Sequence, residues 1–341
     1  MSWIDQEINE QPQVIAGLLQ QDMRAIVAAI QAFDPTFVMI VARGTSDNAA
    51  HYAKYIFGLH LGWPVMLATP SLYTLYNASL TLARALVIGI SQSGQSTDIL
   101  AVMDAAQAQG ALTLSITNDA TSPMATRTDF HLDIAAGPER SVAATKSYTA
   151  QLTAIAALSA QLSNNPGHAQ QLATLPDAVQ QTLDLNAQLA PHAERYRYMQ
   201  RFAVIGRGVN HATAYEISLK IKELCYIPGE EYSEADFRHG PIAMIEAGFP
   251  IFLVMPDGKT YHRMLDLLQL LHDKGAECIC ITNRHDGDAL AHKTFLIPSL
   301  PEWLSAIVAV IPGQLFAKHL ATAKGHALDT PRGLNKVTRT Q

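Results

Sequence analysis

Short, unbroken apolar runs alternate along this chain with longer stretches in which apolar residues recur every three or four positions. "FVMIVARG" (37–44), "PVMLAT" (64–69), "ALVIGISQSG" (85–94), "LTLSITND" (112–119) and "FHLDIA" (130–135) have the length and Val/Ile/Leu content of buried strands. Between and after them, Asp47 to Leu61, "ILAVMDAAQAQG" (99–110) and Thr145 to Leu162 have helical spacing. Ahead of them, Ile8, Val14, Leu18, Leu19, Met23, Ile26, Val27 and Ile30 fall on one stripe and predict helix over 5–32. Strands without polar alternation are buried on both faces. The pattern therefore predicts an α/β fold, a doubly wound parallel sheet with helices on either side.

The second half repeats the first. "FVMIVARGTSDNAAHYAKYIF" (37–57) aligns with "FAVIGRGVNHATAYEISLKIK" (202–222), which sets Arg43-Gly44 on Arg207-Gly208. "LTLSITND" aligns with "ECICITNR" (277–284), and the two offsets are 164 and 165 residues. Matching offsets at separate strands indicate two copies of one domain. "GFPIFLVMPDG" (248–258) takes the place of "ALVIGISQSG" but lacks its serines, so one anion site per chain is expected, in the first copy. The predicted layout is a helical segment over 1–32, a first domain over 33–163, a Gln/Asn/Ala-rich helical connector over 164–195, a second domain over 196–328 and a tail over 329–341.

Composition narrows the function. Hydrophobic residues make up 48% of the 341, enough for two substantial cores, and the net charge of -6 argues against a broad nucleic-acid or membrane surface. Cys225, Cys278 and Cys280 make no disulfide framework. Cys278-x-Cys280 has no second pair for zinc, so small buried residues in a reducing, cytoplasmic setting are expected, with no metal. The start "MSWIDQEINEQP" has no apolar signal region, and no run of about 18 apolar residues predicts a membrane span.

Candidate chemistry begins at "SQSGQSTD" (91–98), between a buried strand and a helix. Unpaired N–H groups at a helix N-terminus favour an anion, hydroxyls add donors, and Gly94 permits close backbone approach. The loop has no Lys or Arg, and no Gly-x-x-x-x-Gly-Lys occurs, which suits a sugar phosphate better than a nucleoside triphosphate. "RGTS" (43–46) is a second such turn, expected at the same carboxyl edge of the sheet. An ordinary N-cap and turn would use the same residue types.

Further along, Glu216, Lys220 and Glu223 share a helix face at spacing i, i+4, i+7. That spacing suits either a solvated charged face or a carboxylate–lysine pair able to move a proton between adjacent carbons. His239 lies in "FRHGP" (237–241), where a surface role is the alternative. The tail "DTPRGLNKVTRTQ" (329–341) is either frayed or folds a lysine over a pocket to attack a carbonyl.

Taken together, "EINEQP" (7–12), "ARGTS" (42–46), "SQSGQS" (91–96), "ERSVAATKSY" (139–148), "EISLKIKEL" (216–224), "FRHGP" (237–241) and "PRGLNKV" (331–337) span the chain in order. They resemble the sugar-isomerase (SIS) family. More narrowly, they resemble the isomerase half of glucosamine-6-phosphate synthases and the SIS-type glucosamine-6-phosphate deaminases. The resemblance implies two tandem SIS domains, each a five-stranded flavodoxin-like sheet. It implies that Gly44, Thr45, Ser46, Ser91, Gln92, Ser93 and Ser96 bind the phosphate. Val142 and Ala144 would line the sugar, with Glu139 nearby. Glu223 would be the base moving a proton between C1 and C2, supported by Lys220. His239 would assist ring opening from a neighbouring subunit, which implies a homodimer with a shared site. Lys336 would form a Schiff base with the open-chain keto sugar, and no cofactor is implied. Gln95, Ser96 and Ala144 stand where the synthases carry Glu, Thr and Ser. The sequence begins at the helix carrying "EINEQP", so no glutaminase module is expected, and "VAATKSY" resembles the deaminases more closely than the synthases. The expected reaction is deamination of glucosamine 6-phosphate to fructose 6-phosphate and ammonium. The rivals are an ammonia-dependent synthase, a fructosyl-amine-phosphate deglycase, a plain ketose–aldose isomerase and a non-catalytic sugar-phosphate sensor.

Overall fold

The computed structural model describes residues 2–78, 80–163 and 165–336. Among these residues, ten strands form two five-stranded sheets. The first holds β1 (Phe37–Val41), β2 (Val65–Leu67), β3 (Ala85–Ile90), β4 (Leu112–Thr117) and β5 (Phe130–Asp133) in the order β2-β1-β3-β4-β5. The second holds β6 (Phe202–Gly206), β7 (Gly229–Ser233), β8 (Pro250–Val254), β9 (Glu277–Thr282) and β10 (Lys293–Leu296) in the order β10-β9-β8-β6-β7. All pairings are parallel, and the two orders are the same topology written from opposite edges. Each sheet therefore reverses its strand order once, between β1 and β3 and between β6 and β8, the position at which such sheets bind ligands.

The five first-copy strands fall where the apolar runs predict. Two second-copy strands carry no such signal. β7 is Gly-Glu-Glu-Tyr-Ser on an edge, with no buried residue, and β10 is Lys-Thr-Phe-Leu with only Phe295 buried. An edge strand pairs on one side and need not be apolar. The stripe over 5–32 resolves into three helices, Trp3–Asn9, Gln11–Leu18 and Arg24–Phe33, with a break at Leu19–Met23. The connector folds into Pro166–Leu172, Leu175–Leu183 and Asn186–Arg195.

Two compact units emerge, and they are not simple halves of the chain. One gathers residues 1–12, 141–145 and 174–333; the other gathers 13–140, 146–173 and 334–341. In the unit built on β1–β5, Met39, Val41 and Val87 pack against Ile99, Val102 and Met103 of the helix Thr97–Gln107. In the unit built on β6–β10, Ile205, Ile251 and Leu253 pack against Met264, Leu267 and Leu271 of the helix Tyr261–Asp273.

Helix Glu302–Ala323 is long and apolar enough to cross a membrane by length and composition, with a mean hydropathy of 1.4 over an 18-residue window. Some 94% of that window is buried inside the protein, which marks a core helix. It lies closely on the helix His211–Cys225. A Cβ added at Gly313 would sit 2.3 Å from Ile217 Cγ1, so glycine allows that approach.

Candidate active site

Two turns follow the adjacent strands β1 and β3. Gly44, at φ 55° and ψ -131°, adopts a conformation open to glycine alone and starts the helix Thr45–Leu61 without any side-chain cap. Gly94 is required twice over. Its φ is 61°, and an added Cβ would lie 2.2 Å from Ser122 Oγ. The loop is pinned to its neighbours by Asn118 N donating to Gln92 O and Met124 N donating to Gly94 O. Arg43 Nε donates to buried Asp98 Oδ2 at 2.6 Å, which ties the first turn to the start of the helix after the second. The pair also neutralises the one carboxylate in that first helical turn.

The serine hydroxyls are oriented by what donates to them. Ser46 Oγ accepts from Gln151 Nε2 at 3.0 Å, Ser91 Oγ from Gly94 N at 3.1 Å and Ser93 Oγ from Gln95 N at 3.4 Å. A hydroxyl whose oxygen already accepts an N–H keeps its own hydrogen to donate. Ser96 occupies the N-cap position of Thr97–Gln107 yet makes no side-chain cap bond, unlike an ordinary N-cap serine. With the helix N-termini behind them, these hydroxyls make a donor-rich, cation-poor cup suited to a phosphate ester. Thr45 and Gln92 are half-buried on the same two turns. Gln151, silent in the sequence because it sits in the almost wholly buried helix Lys146–Leu162, is a supporting residue that pattern reasoning misses.

Glu139 is buried in the same unit. It accepts from Ser147 N at 3.1 Å and Ser147 Oγ at 2.7 Å, and Lys336 Nζ lies 2.8 Å from its Oε2. The tail thus brings Lys336 to a buried carboxylate, while residues 337–341, including Val337 of "PRGLNKV", lie outside the described residues.

In the other unit, the Glu216–Lys220–Glu223 face is buried, contrary to the solvated-face alternative. Side-chain exposure is 0% for Glu216, 1% for Lys220 and 22% for Glu223. Lys220 Nζ sits 3.3 Å from Glu216 Oε1 and donates to Glu223 Oε2 at 2.6 Å. Burial alone would lower the Lys220 pKa; the two carboxylates outweigh it and hold the ammonium well above the ordinary lysine range. Buried ion clusters are weak contributors to stability compared with apolar packing. A cluster of this kind, with one carboxylate left partly open, has the composition of an acid–base centre.

Val142 and Ala144 are half-buried and belong to the compact unit that carries Glu223, through the detached segment 141–145. His239 caps the short helix Glu234–Arg238 and is exposed, able to meet a ligand or another subunit. Among the described residues no cluster of three or more His, Cys, Asp or Glu could hold a metal. Cys225 and Cys278 are buried with thiols pushed up to about 12 by desolvation, and Cys280 is raised by the same cause, which fits a structural role.

The chain is similar in sequence and fold to known proteins. The SIS domain family model matches residues 35–160 and 197–324. A glutamine–fructose-6-phosphate aminotransferase (isomerizing) of Thermococcus kodakarensis is 35% identical over 97% of this chain; the chain spans 56% of that relative's length. The C-terminal domain of a glucosamine-fructose-6-phosphate aminotransferase from Francisella tularensis superposes with a TM-score of 0.89 at 26% identity, covering 97% of this chain and 98% of that one. A glucosamine-6-phosphate deaminase from Thermotoga maritima shares the fold, with a TM-score of 0.81 at 21% identity, covering 99% of this chain and 100% of that one. With both of its sheets matched in sequence and in topology, the chain belongs to the SIS family, as a tandem of two SIS domains.

Proposed function

We propose that this chain is an isomerase of an aminosugar phosphate that deaminates glucosamine 6-phosphate to fructose 6-phosphate and ammonium. The observation that carries the reading is the set of serine oxygens at 46, 91 and 93, each accepting an N–H so that its own hydrogen is available to an anion. The cup takes the 6-phosphate. The ring opens to the aldehyde with help from His239. Glu223 removes the C2 proton and returns it to C1, converting the 2-amino aldehyde into a 2-imino alcohol. Lys220, whose ammonium donates to Glu223 Oε2, holds that carboxylate in place for both transfers. Lys336 gives a proton to Glu139 and its amine adds to the C2 imine, which expels ammonia; water then hydrolyses the lysine imine to the ketone. No redox step and no cofactor enter this sequence.

The test is incubation with glucosamine 6-phosphate while following ammonium and fructose 6-phosphate. One-to-one appearance of both supports the reading; substrate that binds but yields neither leaves a sensor. A second reading is favoured by the name of the Thermococcus kodakarensis relative. Every step above is reversible, so fructose 6-phosphate with ammonium would return glucosamine 6-phosphate. Initial rates measured from both sides decide the direction.

A further inference from the structure

The motif "EINEQP" contributes no group to the steps above, yet two of its four polar residues, Glu7 and Gln11, are almost fully buried. Burying a carboxylate or amide is costly unless partners compensate. The partners converge on the five-residue segment Ser141–Thr145. Glu7 Oε1 accepts from Ser141 N at 3.2 Å, and its other oxygen accepts from Ser141 Oγ. Gln11 Nε2 donates to Gln314 Oε1 at 3.1 Å, and Gln314 Nε2 donates to Thr145 O at 3.3 Å. Between those ends, Val142 N donates to Asp329 O at 3.1 Å. The Asp329 carboxylate in turn takes the first N–H groups of the N-terminal helix, Trp3 N at 2.9 Å and Ile4 N at 3.0 Å. The N-terminal segment, the 141–145 loop and the base of the tail are one hydrogen-bonded cluster within one compact unit.

We infer that Glu7 and Asp329 are positioning residues that fix the backbone of Ser141–Thr145, so that Val142 and Ala144 present a preset surface to the sugar. The inference rests on the reading of 141–145 as sugar-lining. Neither residue acts chemically. Their effect is on the conformational freedom of five residues whose ordering would otherwise be charged against each binding event. A carboxylate that holds both the N–H and the hydroxyl of one serine restrains rotation as well as position, which a single bond does not.

The experiment uses the full chain with Glu7→Gln, Ser141→Ala and the double variant, and Asp329→Asn as an independent probe. Amide hydrogen exchange at 141–145 is expected to rise by about tenfold or more in each variant while the sheet strands keep their protection, because each substitution weakens a charge-assisted hydrogen bond of the cluster. The KM for glucosamine 6-phosphate is expected to rise by about tenfold with kcat little changed, and the affinity for inorganic phosphate to stay as in wild type. The Glu7→Gln and Ser141→Ala effects should not add, since both cut the same link. Equal loss of inorganic phosphate and sugar-phosphate affinity would overturn the inference, as would full additivity or unchanged exchange at 141–145. Should one variant fail to fold, the same readouts on Asp329→Asn decide. A wild-type chain that binds phosphate but no sugar phosphate removes the proposed function instead, and exchange at 141–145 then decides the anchor alone.

Discussion

The two SIS domains share a topology and a glycine at positive φ after their first strands, Gly44 at 55° and Gly208 at 62°, yet their third strands end differently. β3 runs into hydroxyls with hydrogens to give away. β8 runs into "MPDGKT", 164 residues further on, where Gly258 corresponds to Gly94. There the carboxylate of Glu302 fills the turn. It accepts from Lys259 N at 2.9 Å and Thr260 Oγ1 at 3.3 Å, and a Cβ on Gly258 would lie 2.4 Å from its Cδ. The second domain places a carboxylate of its own at the turn where the first domain has its serine loop. The helices after β1 and β6 differ in the reverse sense. Thr45–Leu61 buries no charged residue, whereas His211–Cys225 buries Glu216 and Lys220. The same scaffold carries a hydroxyl-lined cup in one copy and an ionised cluster in the other.

That division of labour can be tested at several points. The largest effect is expected for Glu223→Gln, which should lower kcat by roughly 10²–10⁴-fold while leaving inorganic phosphate affinity intact. Rapid ammonium release by the variant would remove the base from the second domain. Next, Ser93→Ala should raise KM by about tenfold by deleting one charge-assisted donor. Asp257→Ala, at the equivalent place in the second domain, should leave KM alone. If both variants shift KM, the phosphate is not confined to the first domain's cup.

Gly313→Ala should destabilise the second-domain unit by about 1–3 kcal/mol, because the new methyl meets buried Ile217. Urea unfolding reads this directly, and kcat should fall with it, since Ile217 shares its helix with Lys220 and Glu223. An unchanged midpoint would show that the helices can separate freely. The smallest effect is on acid stability of the first-domain unit. His60 and His168 stack with centroids 4.3 Å apart, and His60 Nδ1 contacts Ser159 Oγ at 3.0 Å. Desolvation, then repulsion from His168, lowers the His60 pKa from 6.5 to about 4, and desolvation lowers that of His168. A depressed histidine pKa favours the neutral ring in the fold. The stability it contributes is present above pH 6.5 and is lost as pH falls towards 4. His60→Gln should flatten that loss in urea titrations between pH 7 and pH 4.5.

Much of the site was legible because hydroxyl-rich turns and glycines of positive φ are local necessities. "RGTS" and "SQSGQS" had to be turns wherever they sat. Gln151 was not legible, since a polar residue in an apolar helix gives no sign of which hydroxyl it will meet. The state of Glu216 and Lys220 was open for a related reason: i, i+4 spacing is the same on a wet face and a dry one, and burial depends on which helix packs above. β7 escaped because an edge strand of Gly, Glu, Glu, Tyr and Ser has no apolar period to read.

Sequence by itself determined two tandem parallel α/β domains, the strands of the first, and the turns where an anion would bind, because strand and turn propensities act over a few neighbouring residues. Only the tertiary structure decided that the Glu–Lys–Glu face is dry, that Glu302 occupies the second domain's turn, and that residues 141–145 fold with Glu7 and Asp329. Those outcomes depend on burial and on hydrogen bonds between segments up to hundreds of residues apart, and no local pattern encodes which distant group will supply the partner.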